Sequence, residues 1–117
     1  MPNNPVAEFN AYRLKMNKKL LDDNNKIVKR IFNLDTNAFT EGVLSKKTKE
    51  VLGLGNSLVL RCDDCVRYHL EECYKLEMSK EEVVEAMSVS LLIGGTIIIP
   101  HMRKAFEYWE ALEEAKN

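Results

Sequence analysis

The 117-residue sequence predicts a single all-α domain of five to six helices. Two observations support this fold class. Apolar residues recur at helical spacing along almost the whole chain, and the strand–helix alternation of a βαβ protein is missing. The composition is 45% hydrophobic and 30% charged with five glycines and three prolines, which is typical of a globular protein.

The first half of the chain predicts three helices. Apolar residues from Phe9 to Leu20 give a loosely amphipathic first helix, and a clear apolar stripe then runs from Ile27 to Leu34. After a polar connection, Ser45 fits the N-cap of a third helix. That helix contains Gly53 and Gly55, each of which costs about 1 kcal/mol relative to alanine. We expect both glycines to permit close packing rather than to end the helix.

The second half predicts the remaining helices. The segment with the first two cysteines should form one helix, and Ser79 with Glu82 forms a capping box for the next, which stops at Gly94-Gly95. The β-branched run 97–99 could be a strand, but a lone strand has no pairing partner, so we expect a buried helix start or linker. Pro100 is tolerated in the first turn of a final helix that reaches Leu112.

One predicted helix is apolar on nearly every side. Val89, Leu91, Leu92 and Ile93 point in almost all directions around its axis. Such a helix has to be covered all round, which a chain of this size cannot achieve alone. We therefore expect a second copy of the chain to cover part of it, making a homo-oligomer.

Charge, apolar length and cysteine content indicate which partners and which compartment to expect. The 17 Lys and Arg against 18 Asp and Glu leave no excess of positive charge, so no nucleic-acid partner is expected. The most apolar stretch, 89–99, is shorter than the roughly 20 residues that span a bilayer. The first five residues resemble no secretory signal, and three cysteines fit poorly with a secreted disulfide framework, so we expect a cytoplasmic protein.

The candidate site is the segment 62–69. On one helix Cys62, Cys65 and His69 fall within about 60° of arc. The positive end of the helix dipole favours a thiolate at its start, and two cysteines placed there can bond with little backbone motion. His69, four residues beyond Cys65, lies within reach to carry a proton. The pattern predicts a pair that cycles between dithiol and disulfide.

Three other interpretations stay open from the residues alone. The cysteines and the histidine could simply pack in the core. Cys62, Cys65, His69 and Cys73 could bind zinc, although a continuous helix separates the first from the last by about 16 Å. A thioredoxin-like site would need a preceding strand, which the sequence does not predict. Cys73 is expected in the core or an interface, and His101 on the surface.

The pattern extends upstream to Glu50, giving Glu-x11-Cys-x2-Cys-x3-His across 50–69. With Gly94-Gly95 downstream, residues of about 40–112 resemble the alkylhydroperoxidase AhpD and carboxymuconolactone decarboxylase-like superfamily. The resemblance implies a helical fold assembled as trimers or hexamers, and reduction of a small peroxide or disulfide by an external dithiol. It implies that Cys65 attacks, Cys62 resolves, and His69 with Glu50 relays protons. No metal and no cofactor beyond the Cys62–Cys65 disulfide are expected.

The sequence departs from the characterised peroxidase at one position. That peroxidase has a histidine immediately before the second cysteine, where this chain has Asp64. Asp63 and Asp64 place negative charge beside both sulfurs and oppose thiolate formation, although acids also suit the first turn of a helix. A redox-inert oligomer that binds a small ligand, or a decarboxylase-type protein, is the alternative. The cysteine pair favours the redox branch.

Overall fold

The computed structural model describes residues 4–116, which form six α-helices and one short 3₁₀ helix. The elements are α1 (Pro5–Asp22), α2 (Lys26–Ala38), α3 (Lys46–Val59), α4 (Asp63–Lys75), α5 (Lys80–Gly94), the 3₁₀ helix (Thr96–Ile98) and α6 (Ile99–Lys116). No strand occurs in this part of the chain, so the all-α prediction is confirmed and a thioredoxin-like fold is excluded. Residues 1–3 and 117, which complete the predicted 1–117 domain and its N-terminus, lie outside the described residues.

The helix ends follow the predicted capping signals. The Ser45 hydroxyl accepts the backbone N–H of Thr48, and Ser79 forms a reciprocal capping box with Glu82. These caps satisfy backbone donors that a helix start otherwise leaves unpaired. α5 ends at Gly94, and Gly95 takes the positive φ of 83° that the exit from the helix needs.

The segment after Gly95 also follows the prediction. The residues Thr96–Ile98 form a 3₁₀ turn that leads directly into α6, and Ile98 is fully buried. Pro100 is the second residue of α6, where a missing N–H costs nothing. The run 97–99 is therefore a helix start and not a strand, but only Ile98 is buried in it, while Ile97 is 60% exposed.

The core lies where α3, α4, α5 and α6 meet. Its fully buried side chains come from all four helices and the 3₁₀ turn, and include Leu54, Leu58, Leu70, Met87 and Ile98. α3 passes through both Gly53 and Gly55 without a break, as the sequence predicted. At Gly55, the carbonyl oxygen accepts the Ser90 hydroxyl of α5 at 3.0 Å, so the two helices approach closely there.

The turn between α3 and α4 fixes the position of Cys62. The backbone N–H of Cys62 donates to the carbonyl of Ser57 at 3.1 Å, and Arg61 takes a left-handed φ of 61°. This pattern is a Schellman turn, which closes one helix and redirects the chain. Cys62, the last residue of this turn, is also the N-cap of α4.

Several helices leave apolar side chains exposed, among them α2 and α5. Ile27, Ile31 and Leu34 on α2 are each more than half exposed, and α2 buries no residue fully. On α5, Val89, Leu92 and Ile93 are exposed, while Leu91 packs against the core. Among residues 4–116, no helix combines the length and apolarity needed to cross a membrane.

Candidate active site

The two cysteines of the motif are bonded to each other at the start of α4. Cys62 is the N-cap and Cys65 lies in the first turn, with 5.3 Å between their Cα atoms. The sulfur of Cys62 accepts the backbone N–H of Cys65 at 3.3 Å, as an N-cap side chain does. Cys65 is exposed to solvent and Cys62 is half-buried. The disulfide is therefore reachable from solvent, chiefly on the side of Cys65.

Glu50 and His69 meet in the interior between α3 and α4. His69 Nδ1 lies 2.7 Å from Glu50 Oε1, and the Glu50 side chain is fully buried. The second carboxylate oxygen of Glu50 accepts a hydrogen bond from Lys46 Nζ at 3.1 Å. Burial by itself would raise the pKa of Glu50, but the hydrogen bonds and charges of His69 and Lys46 outweigh it and lower that pKa.

The ionised state of Glu50 sets the tautomer of His69. A carboxylate can only accept hydrogen bonds, so Nδ1 of His69 is the donor. In the neutral imidazole the other nitrogen, Nε2, is then free to accept a proton. Among the described residues His69 makes no hydrogen bond to either sulfur of the cysteine pair.

Packing holds the imidazole of His69 in place. A Cβ at Gly53 would lie 2.6–2.8 Å from three ring atoms of His69, so the ring rests directly on the bare backbone of α3. Phe39, which caps the end of α2, covers the ring with 5.0 Å between centroids. Tyr68 meets its edge at 5.1 Å. The ring can move little without disturbing α2 or α3.

Both acidic residues beside the sulfurs are paired with basic side chains. Asp64 accepts Arg67 of the same helix at 2.9 Å. Asp63 accepts His101 Nδ1 at 2.7 Å and Lys104 Nζ at 3.1 Å, both from α6. Burial of Asp63 acts to raise its pKa, but these two partners outweigh it and lower that pKa. The negative charge predicted to oppose thiolate formation is therefore compensated locally.

The expectation of a surface position for His101 is confirmed only in part. Its side chain is only 21% exposed and is bonded to Asp63 across the α4–α6 contact. The position next to Pro100 gives no sign of this contact, because the partner is 38 residues earlier in the chain.

Cys73 lies two turns beyond Cys65 and is fully buried in the core. Burial raises the pKa of its thiol to about 12, so it stays protonated at neutral pH. α4 is continuous from 63 to 75, which keeps Cys73 away from the pair. Within residues 4–116, no three His, Cys, Asp or Glu side chains are grouped so as to hold a metal ion.

An open cavity of about 440 Å³ borders His69. Its walls are mostly apolar and come from the end of α2, the following loop and α3; they include Phe39, Leu44, Leu52 and Leu60. Neither cysteine of the pair lines it. The cavity could admit a small apolar molecule next to the imidazole.

The structure places further residues at the site that the motif did not indicate. Lys46 could have been found from the sequence, because it lies four residues before Glu50 on the same helix. Phe39 and His101 could not, since each reaches the site from a different helix and no local pattern marks it.

The sequence profile of the carboxymuconolactone decarboxylase family matches residues 25–111. The chain belongs to this family. The match covers α2 to most of α6 and therefore includes all four residues of the motif.

Solved structures of similar proteins share the fold. Two crystal structures of a Thermotoga maritima protein superpose with TM-scores of 0.90 and 0.89 at 45% and 44% identity. They cover 93% of this chain, and 96% and 92% of their own. An involvement of that protein in the antioxidative response has been suggested. The apo form of a Legionella pneumophila family member superposes at 0.78 with 24% identity, covering 96% of this chain and 97% of its own.

A curated relative is an uncharacterized protein of Cupriavidus necator. It is 27% identical over 75 residues, which is 64% of this chain and 66% of that protein. The chain thus spans just under two thirds of the length of this relative.

Proposed function

We propose that this protein is a thiol-dependent peroxidase and disulfide oxidoreductase whose redox centre is the Cys62–Cys65 pair. The observation that carries the proposal is the disulfide at the exposed start of α4, one helical turn before the buried Glu50–His69 pair. A small peroxide or disulfide is the substrate, and an external dithiol in a reducing cytoplasm is the reductant.

The reaction begins with the thiolate of Cys65. It attacks one peroxide oxygen, the O–O bond breaks, and the products are a sulfenic acid on Cys65 and an alkoxide or hydroxide. The leaving oxygen takes a proton from the relay and departs as alcohol or water. The exposure of Cys65, against the half-buried position of Cys62, supports its role as the attacking residue.

The second half of the cycle closes and reopens the disulfide. The Cys62 thiol displaces water from the sulfenic acid and forms the Cys62–Cys65 bond. The external dithiol then reduces that bond by thiol–disulfide exchange and is itself oxidised to a disulfide. Since Cys62 is anchored by its backbone to Ser57, closure needs movement mainly in the first turn of α4.

His69 and Glu50 serve as the proton relay in this proposal. The Glu50 carboxylate fixes Nδ1 of His69 as a donor and stabilises an imidazolium when Nε2 takes up a proton. A buried carboxylate behind an imidazole keeps the ring oriented through both states. General acid–base catalysis of this kind contributes roughly 100- to 10,000-fold in rate.

Peroxide consumption by cysteine variants tests the proposal. With a dithiol reductant present, Cys65→Ser should lose activity by more than about 100-fold, because the nucleophile is gone. Without any added reductant, reduced Cys62→Ser should consume one equivalent of peroxide and stop as a sulfenic acid, which mass spectrometry detects. Cys73→Ala is the matched control and should retain the rate, since that thiol is buried and stays protonated. A Cys65→Ser protein as fast as wild type would end the assignment.

The cavity beside His69 favours a second candidate function, a redox-inert protein that binds a small ligand or acts as a decarboxylase-type protein. The cavity is lined by apolar side chains and by the His69 imidazole, but by neither cysteine of the pair. Treatment of reduced protein with one equivalent of peroxide separates the two. Loss of two reactive thiols with unchanged helicity supports the peroxidase, and two unreactive thiols support the ligand-binding protein.

We also propose that the protein works as a homo-oligomer, a trimer or a hexamer. Support comes from the exposed apolar side chains of α2 and α5, which a single chain leaves in water. Apolar surface of this kind is typical of protein–protein contacts.

A further inference from the structure

A second charged cluster lies beside the cysteine pair and has no place in the proton relay. It consists of Asp63, the first residue of α4, with His101 and Lys104, one turn apart on α6. The His101 imidazole and the Lys104 ammonium group bind different oxygens of the carboxylate, at 2.7 Å and 3.1 Å. Asp63 and His101 are each less than a quarter exposed. The cluster therefore joins α6 to the residue that follows Cys62.

Asp63 does not need its contacts with α6 in order to stabilise the start of α4. A carboxylate in the first turn already interacts favourably with the positive end of the helix dipole, and Cys62 already caps the helix. The nearby Asp64, by contrast, is paired within residues 4–116 only with Arg67 of its own helix. The two partners from α6 thus add a hydrogen bond from His101 and a positive charge from Lys104, neither of which helix formation alone requires.

The negative charge of Asp63 affects the ionisation of the neighbouring cysteine sulfurs. A free carboxylate next to Cys62 disfavours any thiolate at the start of α4, since like charges repel. The titratable groups that bind Asp63 across the helix contact are His101 and Lys104, and no other helix contributes one among the described residues. Their removal would leave the Asp63 carboxylate, one residue after Cys62, without a partner from α6.

We propose that His101 and Lys104 are positioning residues for the cysteine pair, which bind the Asp63 carboxylate and so favour the thiolate form of the reduced pair. The inference rests on the proposed redox role of Cys62 and Cys65. The two residues act through Asp63 and touch no reacting atom. His101 contributes more than Lys104, because Lys104 is 55% exposed and its charge is more strongly screened by water.

The rate of alkylation of the reduced cysteine pair by iodoacetamide reports the thiolate fraction without any peroxide. At a fixed pH below the thiol pKa, His101→Gln should slow alkylation by roughly three- to tenfold. Lys104→Met should slow it by about twofold, since the charge is partly screened. Arg103→Met is the matched control: it removes a cation from the neighbouring residue of α6, which does not bind Asp63, and should leave the rate unchanged.

A double-mutant cycle tests whether His101 acts through Asp63. Asp63→Asn alone should speed alkylation, and in that background His101→Gln should lose most of its effect. An equal effect of His101→Gln in both backgrounds, or none in the wild-type background, would overturn the inference. If circular dichroism shows that His101→Gln is poorly folded, the variant Lys104→Met at its exposed position decides instead. An unchanged alkylation rate in Lys104→Met then overturns the inference.

The outcomes also separate this inference from the proposed function. Alkylation of the wild-type thiols together with no disulfide after peroxide would contradict the peroxidase and leave the positioning role standing. Disulfide formation with additive effects of Asp63→Asn and His101→Gln would contradict only the positioning role.

Discussion

Replacement of Gly53 by alanine tests whether the imidazole of His69 must stay where Glu50 holds it. The new Cβ would lie 2.6–2.8 Å from three ring atoms, whereas ordinary contacts measure 3.4–4 Å. The ring therefore has to withdraw by about 0.6–0.8 Å, which is enough to misalign its hydrogen bond with Glu50. Because misplacement by about 1 Å can cost on the order of 100-fold in rate, we expect peroxide consumption to fall roughly 10- to 100-fold.

The effect of Gly53→Ala on stability combines two opposing contributions. Overpacking costs about 1–3 kcal/mol, while alanine in a helix gains about 1 kcal/mol over glycine. The net loss in the free energy of unfolding should therefore be about 0–2 kcal/mol, which urea denaturation measures. A small loss of stability with a large loss of rate would identify a displaced side chain and not an unfolded protein.

Gly55→Ala is the matched control on the same helix. It brings the same gain in helix propensity, and its Cβ would meet only the Ser90 hydroxyl, at 3.2 Å. We expect stability equal to or slightly above that of wild type and an unchanged rate of peroxide consumption. If Gly53→Ala retains the wild-type rate, the positioning of His69 on Gly53 has no bearing on the reaction and the reasoning is refuted.

Three other predictions follow from the structure. Titration of reduced native protein with a thiol reagent at neutral pH should find two fast thiols and a third only after denaturation, since burial raises the pKa of Cys73 to about 12; three fast thiols would contradict this. The folded pKa of Glu50 lies below its ordinary value near 4.5. Ionisation of Glu50 therefore stabilises the fold above about pH 4.5, and this stabilisation is lost as the pH falls through the folded pKa. Lys46→Met should therefore cost about 0.5–1 kcal/mol in the free energy of unfolding at neutral pH, with the difference closing in acid; a difference independent of pH would argue against the ion pair. Leu92→Glu should reduce the mass of the particle in sedimentation if α5 forms a subunit contact, and an unchanged mass would exclude that surface.

The fold was largely predictable because its signals are local. Capping serines at 45 and 79, the glycines at 94 and 95, and the proline at 100 each mark a helix end through the geometry of their own residue. Apolar spacing then identified the helices between them. The exposed apolar stripe of α2 shows the limit of that signal, since a helical period predicts a helix but not which partner covers it.

The site was predictable only along the α3–α4 hairpin. The spacing of the cysteines and His69 on one helix indicated their common face, and the family resemblance added Glu50. Contacts from elsewhere could not be inferred: Phe39 covers the imidazole from α2, and His101 reaches Asp63 from α6. Such contacts depend on how helices dock, which no pattern within one segment encodes.

All four residues of the motif fall between positions 50 and 69, on two helices joined by the turn at Arg61 and Cys62. The chemical groups are therefore contained in a module short enough to transplant into another helical hairpin. Such a graft would carry the sulfurs, the imidazole and the carboxylate, but it would lack the aromatic cover from α2 and the counter-charges from α6. A series of grafts that restores these supports one at a time would measure what the rest of the protein adds to a ready-made redox hairpin.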